Sequence, residues 1–168
     1  AALFTLLFMY VKIPTGIPET DIQTAYGVGT FFAALFGPIA GGLLSLIGHF
    51  LSDSIQYGSA WWSWVIASGL TCFITGLVYP RMRVEEGEFG VKDALRFNIY
   101  QVVANAISWI VVAPVLDIVI YKEPVNLVFT QGVVAAISNA VSAGVIGTIL
   151  LLLYSKTRSK KGSLSKEA

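Results

Sequence analysis

The sequence predicts an all-α integral membrane protein: a single domain of six transmembrane helices with both termini on the cytoplasmic side. Three observations carry this. Hydrophobic residues make up 55% of 168 positions and charged residues only 12%, about half the charged share of a soluble domain. A soluble core of this size cannot hide so much apolar surface, whereas a bilayer solvates it. Charge is also segregated: of 11 basic and 10 acidic side chains, eight lie between Arg81 and Arg96 and six between Lys156 and Glu167. Proline, glycine and polar clusters divide the remaining apolar sequence into six segments.

Ala1 to Ile13 reads as helix 1. Thirteen residues at 1.5 Å each reach about 20 Å, short of a full crossing, so the helix is expected to extend upstream of Ala1. No small-residue cleavage pattern follows it, which marks a span rather than a cleaved signal. Pro14, Gly16 and Pro18 then break the chain, and Ile13 to Gln23 reads as a loop. Helix 2 covers Ile22 to Phe36. Gly37-Pro38 makes a turn and a helix start, and helix 3 continues to Tyr57. Gly58-Ser59-Ala60 breaks it, and helix 4 runs from Trp61 to Tyr79. Arg81 to Asp93 is polar. Helix 5 covers Ala94 to Tyr121, where Pro114 predicts a kink or local unwinding. After a turn at Lys122 to Asn126, helix 6 runs from Leu127 to Tyr154. The helical domain is thus 1–155, and 156–168 is a basic cytoplasmic tail.

Orientation follows from the positive-inside rule. With the 81–96 segment and the tail inside, nine of the 11 basic residues are cytoplasmic, leaving Lys12 and Lys122 outside. The loops 13–22, 57–61 and 122–126 then face outward. The formal net charge of +1 argues neither for nor against an anionic partner, and no nucleic-acid partner is expected. The single cysteine, Cys72, permits no disulfide within the chain and reads as a small buried hydrophobe. No internal repeat supports an inverted-repeat transporter.

Function is concentrated in Gly37 to Trp64. Within sixteen residues, His49 to Trp64, stand the only histidine and three of the four tryptophans. On a helix, Ser45, His49, Ser52, Asp53 and Gln56 fall at i, i+4, i+7, i+8 and i+11, one face; Leu43, Leu44, Leu46, Ile47, Phe50 and Leu51 occupy the other. His49 lies roughly 12 Å from the outer end of its helix. Ionisable groups at such depth face protein or water, because facing lipid costs at least about 2.5 kcal/mol. Matching stripes occur on helix 4 (Trp61, Trp64, Ser68, Thr71, Thr75), helix 5 (Asn98, Gln101, Asn105, Ser108, with Trp109 adjacent) and helix 6 (Gln131, Ala135, Ser138 or Asn139, Ser142). Two accounts stand. These groups join helices through hydrogen bonds of about 0.6 kcal/mol each, or they converge on an outward-opening pocket. The second makes His49, Asp53, Gln56, Trp61, Trp64, Asn105, Trp109, Gln131 and Asn139 the candidate substrate-binding residues. Indole faces with amides and a carboxylate suit a flat, weakly charged heteroaromatic ligand. A phosphate is disfavoured, since no intramembrane Arg or Lys is present to hold it.

Catalysis has little support. No serine or cysteine nucleophile is evident beside His49 and Asp53, and no nucleophile elbow, H-E-x-x-H or P-loop occurs. His49 and Asp53 are two metal ligands without a third, so neither metal nor cofactor is expected. A solute-binding membrane chain without its own energy source implies partners. Gly37, Gly41 and Ser45 form a small-xxx-small series, and Ala1, Ala2, Ala33 and Ala34 add small residues on helices 1 and 2. Such residues permit close helix approach, either to a partner subunit or within the bundle.

The stretches IPTGIPETDIQTAYGV and FAALFGPIAGGLLSLIGHFLSDSIQYGSAWWSWVIASG, with the helix 5 to helix 6 region, resemble the substrate-binding S components of energy-coupling factor (ECF) vitamin transporters. The similarity covers nearly the whole chain and is closest to a subfamily assigned to hydroxymethylpyrimidine, a thiamine precursor, or alternatively to pyridoxine. The resemblance implies a high-affinity vitamin-binding subunit in a prokaryotic plasma membrane. It implies partnership with a transmembrane T component and two cytosolic ATPases. It also implies that the segment carrying Pro14, Thr15, Gly16 and Gln23 gates the pocket, and that helices 1 to 3, with Ala33, Ala34, Gly37, Gly41 and Ser45, meet the T component. The competing readings are a small membrane enzyme using His49 and Asp53, or a facilitative channel.

Overall fold

Proline and glycine set most element boundaries in the computed structural model, which describes residues 1–158. Among these residues the chain forms six helices and one hairpin: α1 (Ala2–Tyr10), β1 (Lys12–Ile17), β2 (Thr20–Gln23), α2 (Ala25–Phe36), α3 (Pro38–Tyr57), α4 (Trp62–Gly76), α5 (Val91–Tyr121) and α6 (Val125–Thr157). Gly37, at φ 88°, turns the chain between α2 and α3, and Pro38 sits in the first turn of α3, where its missing N–H costs nothing. Gly58, at φ 78°, closes α3 in the left-handed conformation, its N–H bonded to the Ser54 carbonyl.

The largest departure from expectation is at 13–23, which is an antiparallel hairpin rather than a loop. Lys12 pairs with Gln23, Ile13 with Ile22, Pro14 with Asp21 and Ile17 with Thr20. A two-stranded ribbon has free edges on both sides, so Pro14 is tolerated without an N–H. The register is irregular between Pro14 and Ile17, where the Thr15 hydroxyl donates to the Thr20 carbonyl. Glu19 takes φ 53° at the tight connection. The hairpin consumes residues assigned to both neighbours: α1 stops at Tyr10 rather than Ile13, and α2 begins at Ala25 rather than Ile22.

Smaller corrections follow the same logic. Helix α5 starts at Val91, earlier than Ala94, because the Asp93 carboxylate accepts the Gly90 N–H at 3.0 Å and caps the first turn. The polar 77–90 connection carries short 3₁₀ turns at Tyr79–Arg81 and Val84–Glu86. Val84 anchors it by burial with Phe97 and Leu151. Helix α6 continues to Thr157, past Tyr154; of the 156–168 tail, Ser159 onward lies outside the described residues.

Pro114 acts as anticipated, and the form is specific. It cannot donate to the ladder and its ring crowds the preceding turn. The helix widens into π-helical turns at Ala106–Val112 and Asp117–Tyr121, on either side of an α-turn at Ala113–Leu116. A further π segment occurs in α6 at Ala143–Gly147. Gly132 of α6 lies so close to α5 that a Cβ there would overlap the Trp109 carbonyl.

Ala33, Ala34, Gly37, Gly41 and Ser45 are all buried within the chain, where the small-residue series closes the α2–α3–α4 packing. A Cβ on Gly41 would overlap that of Ala33 and lie 3.1 Å from the Cys72 carbonyl. Ser45 donates to the Ser68 carbonyl at 3.0 Å. Gly41→Leu is therefore expected to destabilise the folded chain by about 3 kcal/mol through overpacking, seen as a lowered melting temperature in detergent with no partner present.

Outward-facing apolar side chains, among them Leu43 and Ile47 of α3, Ile99 and Val102 of α5, and Ile137 and Val141 of α6, are exposed. Among the described residues three helices are long and apolar enough to cross a membrane: Trp62–Arg81, Val91–Tyr121 and Val125–Thr157. α2 is apolar but has 12 residues; α3 has 20, and its polar stripe keeps it out of this group.

Candidate functional site

The hairpin roofs a cavity of about 510 Å³ enclosed by α1 to α6. Its floor is aromatic: Phe8, Tyr26 and Trp109 pack edge to face, with Tyr26 and Trp109 ring centroids 5.7 Å apart and Trp64 and Trp109 5.4 Å apart. The roof is tied to α6 at both ends. Gln131 Nε2 donates to the Pro18 carbonyl at 2.9 Å, and the Ser142 hydroxyl to the Gln23 carbonyl at 2.8 Å. At the rim, Lys12 Nζ pairs with Asp21 at 2.8 Å. Partial burial pulls the Lys12 ammonium down, but the hydrogen bond and charge of Asp21 outweigh it and hold it above the ordinary lysine value.

The polar stripe of α3 meets that of α4 in a buried chain of hydrogen bonds. Tyr26 Oη lies 2.5 Å from Ser68 Oγ, Ser68 Oγ lies 2.5 Å from His49 Nδ1, and His49 Nε2 lies 3.3 Å from Asp53 Oδ1. One set of proton positions satisfies all three: Tyr26 donates to Ser68, Ser68 to Nδ1, and Nε2–H to the carboxylate. The other Asp53 oxygen accepts the Trp61 backbone N–H at 3.0 Å. Phe8 stacks obliquely on the imidazole, centroids 4.2 Å apart. A serine, Ser68, thus stands beside His49, a neighbour that the spacing within helix 3 does not reveal. Ser68 is fully buried, shares its hydroxyl with Tyr26 and does not line the cavity, so the Ser–His–Asp order holds an imidazole in place without presenting a nucleophile to a ligand.

Asp117 escaped the sequence reading. It sits on the π-helical turn after Pro114 at 2% exposure. Its carboxylate accepts Trp61 Nε1–H at 2.7 Å, Trp64 Nε1–H at 2.9 Å and the Ser63 hydroxyl. Tyr121, one turn on, stacks on Trp61 with centroids 4.0 Å apart and accepts the Trp62 N–H at 2.9 Å. The signal was available: an acid inside an apolar helix is a functional candidate by default.

Of the residues proposed from sequence, His49, Asp53, Trp61, Trp64, Trp109, Gln131 and Asn139 line the cavity, as does Gln23 of the hairpin. Gln56 and Asn105 do not. Gln56 turns back to the Ser52 hydroxyl at 2.7 Å, and Asn105 donates to the Gln101 carbonyl at 2.8 Å. Three of the lining residues each carry a buried polar atom with no hydrogen-bond partner among the described residues: Trp109 Nε1, Asn139 Oδ1 and Gln23 Oε1. One is a donor and two are acceptors, and a buried polar group without a partner is uncommon enough to need a reason. Among the described residues no group of three or more His, Cys, Asp or Glu side chains is placed to hold a metal ion.

Residues 1–156 match the family described as ECF-type riboflavin transporter, S component. The chain is 56% identical over its full length to a UPF0397 protein of Exiguobacterium, covering 92% of that protein. It is 51% identical to a UPF0397 protein of Enterococcus faecalis and 48% identical to one of Staphylococcus aureus, with 99% of the chain and 91% of each relative aligned. No solved structure matches. A match over nearly the whole length places the chain in the family of S components of ECF-type riboflavin transporters, membrane transporter subunits rather than enzymes.

Proposed function

We propose that the chain is the vitamin-capturing subunit of an ECF importer, with all six helices in the membrane and both termini cytoplasmic. In this reading hydroxymethylpyrimidine is the ligand, a T component and two ATPases supply the energy, and the hairpin is the gate. The observation that carries it is the set of unpartnered buried atoms around an aromatic floor. A ring nitrogen satisfies Trp109 Nε1–H, and an exocyclic amine and a hydroxymethyl group supply donors to Asn139 and Gln23. Pyridoxine offers a ring nitrogen and hydroxyl donors but no amine, and stands next. The family's description favours riboflavin as a second reading. The T component then meets the exposed apolar surface of α2 and α3, such as Phe36, Ile39 and Leu43, because the small residues beneath are occupied internally.

Equilibrium binding to the purified chain in detergent tests this directly. Hydroxymethylpyrimidine is expected to bind unaltered with a Kd below about 1 μM, and ATP-driven uptake is expected only when T component and ATPases are co-reconstituted. Turnover of the bound compound would support the enzyme, and passive flux without partners the channel.

A further inference from the structure

Five carboxylates line the cavity, Glu19, Asp21, Asp53, Asp117 and Glu123, against a single ammonium, Lys12. That ammonium is already paired with Asp21. The other titratable groups facing the space are His49 and the hydroxyls of Tyr26 and Tyr57. Asp53 and Asp117 are buried, at 4% and 2% exposure, and among the described residues neither forms an ion pair with a lysine or arginine. Asp117 has its hydrogen bonds met by three neutral donors, which orient dipoles toward it without cancelling its charge. Asp53 takes one backbone N–H and faces the imidazole, leaving acceptor capacity toward the cavity. Independently, Gln23 Oε1 and Asn139 Oδ1 are buried acceptors without donors among the described residues.

Negative charge in a poorly hydrated site is costly unless a positive charge approaches it. We infer that the cavity takes its ligand as a cation, a protonated or quaternary nitrogen heteroaromatic whose charged nitrogen lies on the Asp53 side of the site. This rests on the vitamin-binding reading and adds to it the charge state that is selected. A cationic ring offsets the charge of the buried acids and makes its exocyclic N–H groups stronger donors toward Gln23 and Asn139; an anionic or phosphorylated vitamin is repelled by the same carboxylates.

Isothermal titration of the purified chain distinguishes the cases. The probes are 4-amino-5-hydroxymethyl-2-methylpyrimidine, its neutral 4-oxo analogue, the N-methylated pyrimidinium salt of the amino compound, and riboflavin. At a pH below its own pKa the amino compound is expected to bind at least about 30-fold tighter than the oxo analogue, as a hydrogen bond to a charged group allows. Above that pKa its apparent affinity falls about tenfold per pH unit, following the protonated fraction. The pyrimidinium salt keeps its affinity throughout. Asp53→Asn is expected to bring the amino-to-oxo ratio under about threefold. A ratio this small in the wild-type chain, a flat pH profile for the amino compound, or preferential retention of riboflavin overturns the inference while leaving the vitamin-binding reading intact. Failure of every probe, charged and neutral, overturns both.

Discussion

Asp117→Ala is expected to raise the ligand Kd at least about 100-fold, even though the shorter side chain enlarges the cavity. The carboxylate holds two of the four tryptophans by their indole N–H groups, at 2.7 and 2.9 Å, together with the Ser63 hydroxyl. Removing it leaves three donors without their acceptor, the fully buried Ser63 hydroxyl among them. Hydrogen bonds to a charged acceptor are worth about 1.5–3 kcal/mol each, and part of that loss falls on stability. The remainder falls on binding, because Trp61 and Trp64 lose the contact that sets their ring planes against the ligand. Asp117 is thus a positioning residue, and its loss has a spectroscopic consequence. Tryptophan emission and near-ultraviolet circular dichroism of the unliganded protein are expected to change. Asp117→Asn retains one acceptor oxygen but turns an NH2 toward one of the two indole donors, which reach different oxygens, and is expected to cost about tenfold in Kd. Wild-type affinity with an unchanged tryptophan spectrum in Asp117→Ala would refute the clamp.

That residue also marks the limit of what was legible. The helices were readable because Pro38, Gly58 and Pro114 act locally, through missing N–H groups and positive φ, and those effects travel with the residue. Much of the cavity wall was readable too: the α3 stripe and its partners on α4 to α6 share a helical period. The hairpin was not. Pro14, Gly16 and Pro18 signal a loop by composition, and the strand pairing depends on Thr15, on the Lys12–Asp21 ion pair and on the anchor from Gln131, contacts that no local pattern records. The small residues illustrate a different limit. In a bundle with apolar surroundings both faces of a helix are apolar, so periodicity does not say whether Gly41 faces a partner or Ala33. Gln56 and Asn105 had the right period and the wrong partners: each side chain found a neighbour on its own helix before reaching the cavity. Asp117 lay among Val115, Leu116, Ile118 and Val119, and only the π-helical turn after Pro114 brings it round to the tryptophans.

Ser68→Ala provides the second large effect, and it separates two uses of the same residues. Ser68 does not line the cavity, yet its hydroxyl is the link between Tyr26 and His49, 2.5 Å from each. Alanine leaves a buried phenol and an imidazole nitrogen unpaired, and a loss of about 2 kcal/mol in stability is expected. It also frees the imidazole from one of its two hydrogen bonds, so its Nε2–H no longer fixes the Asp53 carboxylate. Affinity is expected to fall about tenfold. Ser68→Thr keeps the hydroxyl and is expected to recover most of the affinity. Tyr26→Phe removes the outer donor but leaves the Ser68–His49 bond, and is expected to change Kd by less than about threefold. A nucleophilic serine predicts the reverse ordering: Ser68→Ala would then bind ligand normally and lose turnover, and threonine would not rescue it. Affinity lost on alanine and regained on threonine, with no product formed by any variant, is what a positioned imidazole in a binding subunit requires.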